Sequence, residues 1–323
     1  MPSPSFPLLR LPLVAFREIF EKIALRELFL LSLCSKRIHY AVKHFRDKAV
    51  KPTLKAHGTD ICLNSKTNHI NFTVEAMRDH LLDGWKMEKI EGRTVCILQQ
   101  YRDKLLTCWE NEVDGAKALV EYISALFEVK VELLSVSRAS FLMIDYVEEL
   151  QGPGSYRAEI GNVTDEQLEH VLVDLNPRSL TINQTASDKF RIEKFRKTYD
   201  EFNIFKGKWI TVENLCSLDC IKLQVADTRF SSTEINQYFN HVMSGGAPRL
   251  KVFVGQVLDA NSNPILARIR ECLTAVPGKQ HFTRDDERNW EFNGMHNRGE
   301  DSVLVTINYF FWSRMILLSI SEK

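Results

Sequence analysis

The sequence predicts an α/β protein in two parts, a small helical N-terminal module followed by an irregular stack of helix–strand units. Three observations carry that prediction. Residues 1–45 hold a proline-led apolar pattern at helical spacing, and turn-bounded β-branched segments follow. From about residue 111, an amphipathic helix running directly into a short strand recurs with the same start and stop signals.

The first element should begin near Pro12, because proline fixes its own φ and lacks an N–H, which suits the first turn of a helix and no later one. From there Phe16, Ile19, Phe20 and Ile23 recur at three- and four-residue steps. Leu28, Leu31, Cys34 and Ile38 extend the pattern, leaving Arg17, Glu21 and Arg26 on the other side. Two short amphipathic helices fit. A bundle this small buries too little surface to be comfortable alone, so part of its apolar surface belongs to a partner or to the downstream domain. After the basic stretch at 43–51, Pro52 marks a boundary that divides the chain into residues 1–50 and 52–323.

Strands are expected next at 60–64, 70–74, 94–99 and 104–109, with Gly92-Arg93 in a hairpin turn. The helix at 113–127 places Ala116, Leu119, Val120, Ile123 and Phe127 on one face, ahead of a strand at 129–133. Thr164-Asp165-Glu166-Gln167 is a capping box opening a helix with the stripe Leu168, Val171, Leu172 and Leu175. Ser231-Ser232-Thr233-Glu234 repeats the box before Ile235, Tyr238, Phe239, Val242 and Met243. The two helices also end alike. Asn176-Pro177-Arg178 leads into a strand at 179–182, and Ala247-Pro248-Arg249 into one at 250–254.

Weaker units place Leu215 and Leu218 before a strand at 221–225, and a helix opening at Asn263-Pro264 with Leu266, Ile269 and Leu273, stopped by Pro277-Gly278. Helix, short connection and strand repeated in one direction require parallel strands with helices over them. A leucine-rich-repeat-like stack is the natural form, with degenerate repeats because the strands are unevenly spaced, and a less regular α/β sheet is the alternative. Alternate strand residues of such a stack face away from the core and form a partner-binding surface. Thr181, Asn183, Lys222, Gln224, Lys251 and Phe253 are the expected members.

Lysine plus arginine equals aspartate plus glutamate at 42 each, so no bulk field draws the chain to nucleic acid or to an anionic membrane. The seven cysteines include no Cys-x-x-Cys pair and point to buried thiols, not to a disulfide framework or a zinc module. No signal peptide is readable, and the uncharged run at 302–313 is too short to span a bilayer, which favours a cytoplasmic or nuclear protein.

Two family resemblances cover most of the chain. The Leu11-Pro12 pair, the aliphatic positions Val14, Ile19, Leu28 and Leu31, and the ending Cys34-Ser35-Lys36-Arg37 resemble an F-box. That resemblance implies a helical module binding a Skp-type adaptor and, through it, a cullin of a ubiquitin ligase. Leu11, Pro12, Val14, Ile19, Ile23, Leu28, Leu31 and Cys34 would meet the adaptor. Ala24-Leu25 stand where the family usually has an Asp-Pro helix start. The run from Trp109 to Gly115, the strand Cys220-Ile221-Lys222-Leu223-Gln224-Val225-Ala226-Asp227 and the run from Ser232 to Tyr238 resemble the type-2 F-box-associated domain, which implies capture of a protein substrate.

Motifs for chemistry are missing. There is no phosphate-binding loop, His-Glu-x-x-His pair or Gly-x-Ser-x-Gly elbow, and Gly152-Pro153-Gly154 reads as a plain loop. Asp285-Asp286-Glu287, flanked by arginines, reads as a solvated loop and not as a metal site. Residues 189–209 interleave cations with aromatics, which suits base stacking or an amphipathic helix. Asp188, Glu193, Asp200 and Glu201 break the positive charge and favour the helix. The expectation is a substrate-recognition subunit with no catalytic residues, cofactor or metal, and a ligase-independent scaffold is the alternative.

Overall fold

The computed structural model describes residues 11–66, 68–77, 85–90, 92–101, 103–193, 196–258, 264–265, 269–274, 276, 282–285, 289–298, 301–310 and 313–322. They fall into two compact units, Met1–Tyr156 and Arg157–Lys323.

In the first unit, three helices α1 (Leu13–Lys22), α2 (Leu25–Cys34) and α3 (Lys36–Phe45) precede strands β1 (Thr53–His57), β2 (Asp60–Asn64), β3 (His69–Ala76), β4 (Lys86–Ile90), β5 (Arg93–Tyr101) and β6 (Lys104–Trp109). Helix α4 (Glu112–Phe127), strand β7 (Val131–Val136) and helix α5 (Leu142–Gln151) complete it. The strands lie in the order β7-β1-β2-β3-β6-β5-β4. β1 runs parallel to β7 and β3 to β6, and the other pairs are antiparallel. α4 packs on β2, β3, β4 and β6, and α2 packs on β3.

The run at 109–115 now has a local reason. Asn111 caps α4 by accepting from the Asp114 N–H at 3.0 Å, and the Glu112 carboxylate accepts from the Ala76 N–H at 3.1 Å. Gly115 leaves room for the Trp109 indole, which a Cβ there would meet at 2.4 Å. The strand expected at 129–133 starts later, at Val131. Glu128 takes a left-handed conformation at φ 52° to end α4, and the Val129 N–H still bonds back to the Ser124 carbonyl at 3.2 Å.

The second unit contains β8 (Arg157–Ile160), α6 (Asp165–Val173), β9 (Ser179–Ile182), β10 (Lys197–Ile204), α7 (Val212–Cys216), β11 (Leu218–Val225), α8 (Ser232–Met243) and β12 (Val252–Gln256). After these come α9 (Ile269–Cys272), β13 (Phe282–Asp285), β14 (Asn289–Arg298), β15 (Asp301–Phe310) and β16 (Met315–Glu322). β8 to β12 are consecutive parallel neighbours, and β16, β15, β14 and β13 extend the sheet antiparallel.

Both expected capping boxes form, at Thr164/Gln167 and Ser231/Glu234, and a third forms at Thr211/Asn214 before α7. The register builds one apolar row across eight strands: Ala158, Leu180, Phe202, Leu223, Phe253, Leu318, Ile307 and Phe292, each at most 1% exposed. A second row, Ile160, Ile182, Ile204, Val225, Gly255, Ile316 and Tyr309, runs beside it and is also buried.

Three expectations are corrected. The helix read at 189–209 is strand β10 over its second half. Tyr199 and Phe202 imitate helical spacing because both are buried three residues apart and stacked at 5.0 Å. Leu218 belongs to β11, not to the helix before it. The strand expected at 250–254 begins at Val252, and Phe253 faces the core instead of a partner, under Tyr238 and Phe239 of α8 at 4.9 and 5.7 Å. Simple alternation fails there because Leu250 and Phe253 are both buried, the same three-residue step seen at Tyr199/Phe202 and Cys220/Leu223. Of the expected helix at 263–278, Pro264, Ile265 and α9 are helical. Asn263, Leu266, Pro277, Gly278 and the acidic pair Asp286-Glu287 lie outside the described residues.

Candidate functional site

The N-terminal helices separate into an inner and an outer set. α1 starts at Leu13, with the Phe16 N–H bonded to the Pro12 carbonyl at 2.9 Å, as a proline-led helix should. Phe16 and Phe20 turn inward and stack at 4.5 Å, and Phe16 meets the edge of Phe45 at 5.5 Å. Pro12, Leu13 and Val14 remain outside, the last two 65% and 76% exposed. Leu11, Ile19, Ile23 and Leu31 are half-buried, and Cys34 is exposed. Leu28 is a correction. It is 3% exposed and belongs to this chain's own core, so it offers no side chain to an adaptor.

Ser35 explains the small residue of the Cys-Ser-Lys-Arg ending. It caps α3, its hydroxyl accepting from the Ile38 N–H at 3.2 Å. α2 begins at Ala24 without a side-chain cap. Sequence reasoning missed Tyr40, 61% exposed and stacked on His44 at 3.8 Å, and it missed how the helices are anchored. Phe29 packs on Phe72 of β3 at 4.6 Å. The Tyr122 hydroxyl of α4 lies 2.7 Å from the Ser32 hydroxyl and 3.1 Å from His39 Nδ1.

In the second unit, the sheet face opposite the apolar rows carries two polar rows in the same register. One runs Glu159, Thr181, Asn203, Gln224, Val254, Leu317, Asn308, Glu291. The other contains Glu201, Lys222, Val252, Ser319, Thr306 and Asn293. Thr181, Lys222 and Gln224 thus share this face, each half-buried. Asn203 donates to the Thr181 hydroxyl at 3.3 Å, and Lys222 approaches Glu201 at 3.9 Å.

Asn183 sits just past the end of β9 and Lys251 just before β12, both exposed, and Val252 and Val254 take the places expected of Lys251 and Phe253. Asn203, Leu317, Thr306 and Asn308 join this face from β10, β15 and β16, which the sequence pattern does not mark as strands. The twin Pro-Arg exits meet at one carboxylate: Asp200 lies 4.0 Å from Arg178 and 2.8 Å from Arg249. These side chains are a third or more exposed, and solvent screening holds such a contact to about 1 kcal/mol or less.

Among the described residues, no group of three or more His, Cys, Asp or Glu is placed to hold a metal, and no helix is long and apolar enough to cross a membrane. Burial pushes the Cys220 thiol up to about 12 and raises the Tyr238 hydroxyl well above its usual range. Neither group is poised for chemistry near neutral pH.

An exposed apolar helix start and a broad sheet face of hydroxyls, amides and aliphatic side chains have the composition of protein-contact surfaces. The chain carries an F-box domain at residues 8–49 and an F-box associated domain at residues 192–254. It is also similar to an uncharacterized protein, F59B2.9 of Caenorhabditis elegans, at 20% identity over 269 residues, which cover 76% of this chain and 61% of that protein. The chain therefore spans less than two thirds of that relative's length.

Proposed function

We propose that the protein is a substrate-recognition subunit of a Skp-cullin-F-box ubiquitin ligase. The observation that carries this reading is the pairing, in one chain, of an F-box with an F-box associated domain. The F-box binds a Skp-type adaptor through the exposed start of α1 at Pro12, Leu13 and Val14, with Leu11, Ile19, Ile23, Leu31 and Cys34 as the further contacts. The adaptor supplies the cullin, and the chain contributes recruitment and no bond-making step of its own.

Substrate is held by the second unit, read as a leucine-rich-repeat-like stack. Its support is the run of consecutive parallel strands with the buried three-then-two spacing at Tyr199/Phe202/Ile204, Cys220/Leu223/Val225 and Leu250/Phe253/Gly255. The open face offers Thr181, Asn203, Lys222, Gln224, Val252 and Val254 to a protein partner. Its charges are few and partly paired, so hydrogen bonding and apolar contact should dominate over attraction between net charges.

Co-purification with a recombinant Skp-type adaptor tests the first half. A Leu13→Asp, Val14→Asp variant should keep its melting temperature, because both side chains are exposed, and lose the adaptor. Equal adaptor capture by this variant and the parent would sink the proposed contact. The rival reading, a scaffold independent of the ligase, draws on the uncapped start of α2 at Ala24. It predicts that neither protein captures the adaptor.

A further inference from the structure

At the end of α3 the chain turns into β1 beside the end of α4, and the two connections line a half-open cavity of about 470 Å³. Its charge is unbalanced. Arg46, Lys48, Lys51 and Lys130 line it against two carboxylates, Glu128 and Glu132. Glu128 is shared by Arg46 at 3.5 Å and Lys48 at 3.2 Å, and its carboxyl is held below the usual range, first by the hydrogen bond from Lys48. Lys51 and Lys130, both exposed, make no ion pair among the described residues.

Arg46 is the centre of the imbalance. Its side chain is 7% exposed, Nη2 donates to the Phe127 carbonyl at 2.6 Å, and the Nε–H is buried with no partner. Desolvation outweighs the pull of Glu128 and Asp47 and lowers the guanidinium pKa. A buried cation with an unused donor carries a free-energy cost that an added anion offsets.

Capping of helix ends explains part of this cluster, since α3 and α4 both finish here and their terminal carbonyls favour cations. It does not explain all of it. The Phe127 carbonyl takes one guanidinium donor, which leaves Nε and two lysines without an assigned role.

We propose that this cavity is a binding site for a phosphate dianion, free or as a monoester, held by Arg46 with Lys51 and Lys130. A guanidinium presents several N–H donors in a plane that matches phosphate oxygens, and two flanking ammonium groups supply the remaining charge. The ligand would bridge the segment that leaves the F-box and the turn between α4 and β7. Its binding would strengthen the attachment of the F-box to the first sheet, because a ligand that binds only the folded chain stabilises it by an amount that grows with ligand concentration, as the logarithm once the ligand exceeds its Kd.

The test uses the full chain near neutral pH at constant ionic strength. Inorganic phosphate and glycerol 3-phosphate are titrated by calorimetry and by thermal melting, with sodium chloride as the control. Saturable binding of at least one phosphate compound, with a rise in melting temperature that chloride does not reproduce, is expected. A Lys51→Ala, Lys130→Ala double variant should melt like the parent without ligand, because both side chains are exposed, yet bind about tenfold more weakly or worse. Tighter binding of the monoester would identify an organic phosphate as the ligand, and equal binding would identify phosphate itself. No binding of either compound, or an equal response from the parent and the double-lysine variant, overturns the site.

Discussion

Leu13 and Leu28 stand one helix apart in the F-box and should respond to truncation in opposite ways. Leu28 is buried, so Leu28→Ala should cost about 2–5 kcal/mol of stability, read as a lower urea midpoint, and any loss of adaptor would follow from unfolding. Leu13→Ala should leave the midpoint almost unchanged, within about 0.5 kcal/mol. Similar midpoints for the two variants would show that this inner and outer division is wrong. Helical spacing revealed that both residues are apolar members of one module. It could not tell a core-facing leucine from an adaptor-facing one, because both obey the same period. The buried thiol and phenol give a second prediction at this scale. The Cys220 pKa rises from 9.0 to about 12 through burial, and that of Tyr238 rises well above 10.0. The folded state therefore keeps protons that the unfolded chain releases, and stability should fall as pH climbs from about 9 toward 12, with no effect of these two groups below about 9. A urea midpoint that stays flat above pH 9 would contradict their burial.

Elements with strong boundary chemistry were legible. β2 and β6 match the expected 60–64 and 104–109 residue for residue, and both capping boxes and proline exits mark helices and strands that form. Elements whose buried residues step by three were not. Tyr199 to Phe202 reads as helix, and Leu250 to Phe253 puts a simple alternation out of phase by one residue. A one-residue slip moves every side chain of a strand to the other face, and alternation counted from Leu250 therefore places Phe253 on the partner surface. The structure explains why the inward setting holds. Gly255 lies beneath the Phe253 ring, where a Cβ would stand 2.5 Å from the ring tip, and the ring cannot retreat because Tyr238 and Phe239 cover it. Gly255→Ala should cost about 1–3 kcal/mol by overpacking. A Gly255→Ala, Phe253→Leu double variant should recover part of that loss in thermal unfolding. Additive losses from the two substitutions would argue against a shared packing site.

On the scale of the whole chain, Pro52 is a natural place in the sequence to cut, yet the contacts of the first unit cross it. Phe29 packs on Phe72, Ser32 and His39 meet the Tyr122 hydroxyl, and Arg46 donates to the Phe127 carbonyl. Such long-range contacts leave no local mark in a sequence. Tyr122 reads only as one residue of an amphipathic helix, and the Gly152-Pro153-Gly154 loop just before the division at Tyr156 reads as an ordinary turn with nothing to mark it as a boundary between units. Removing α1–α3 uncovers Phe72 and the α4 surface at Tyr122, both now nearly or fully buried, and leaves their neighbours without partners. The loss combines apolar area returned to water, at about 25 cal/mol per Å², with hydrogen-bonding groups left unpaired. A fragment starting at Pro52 should therefore melt well below the full chain and bind a hydrophobic dye. Its amide protons in β3 and α4 should exchange faster, whereas those in β9 to β12 of the second unit should keep their protection. Hydrogen exchange followed by mass spectrometry reads both regions in one experiment. Unchanged protection in β3 and α4 would show that the F-box is a detachable module, and loss of protection in β9 to β12 would show that the second unit depends on it.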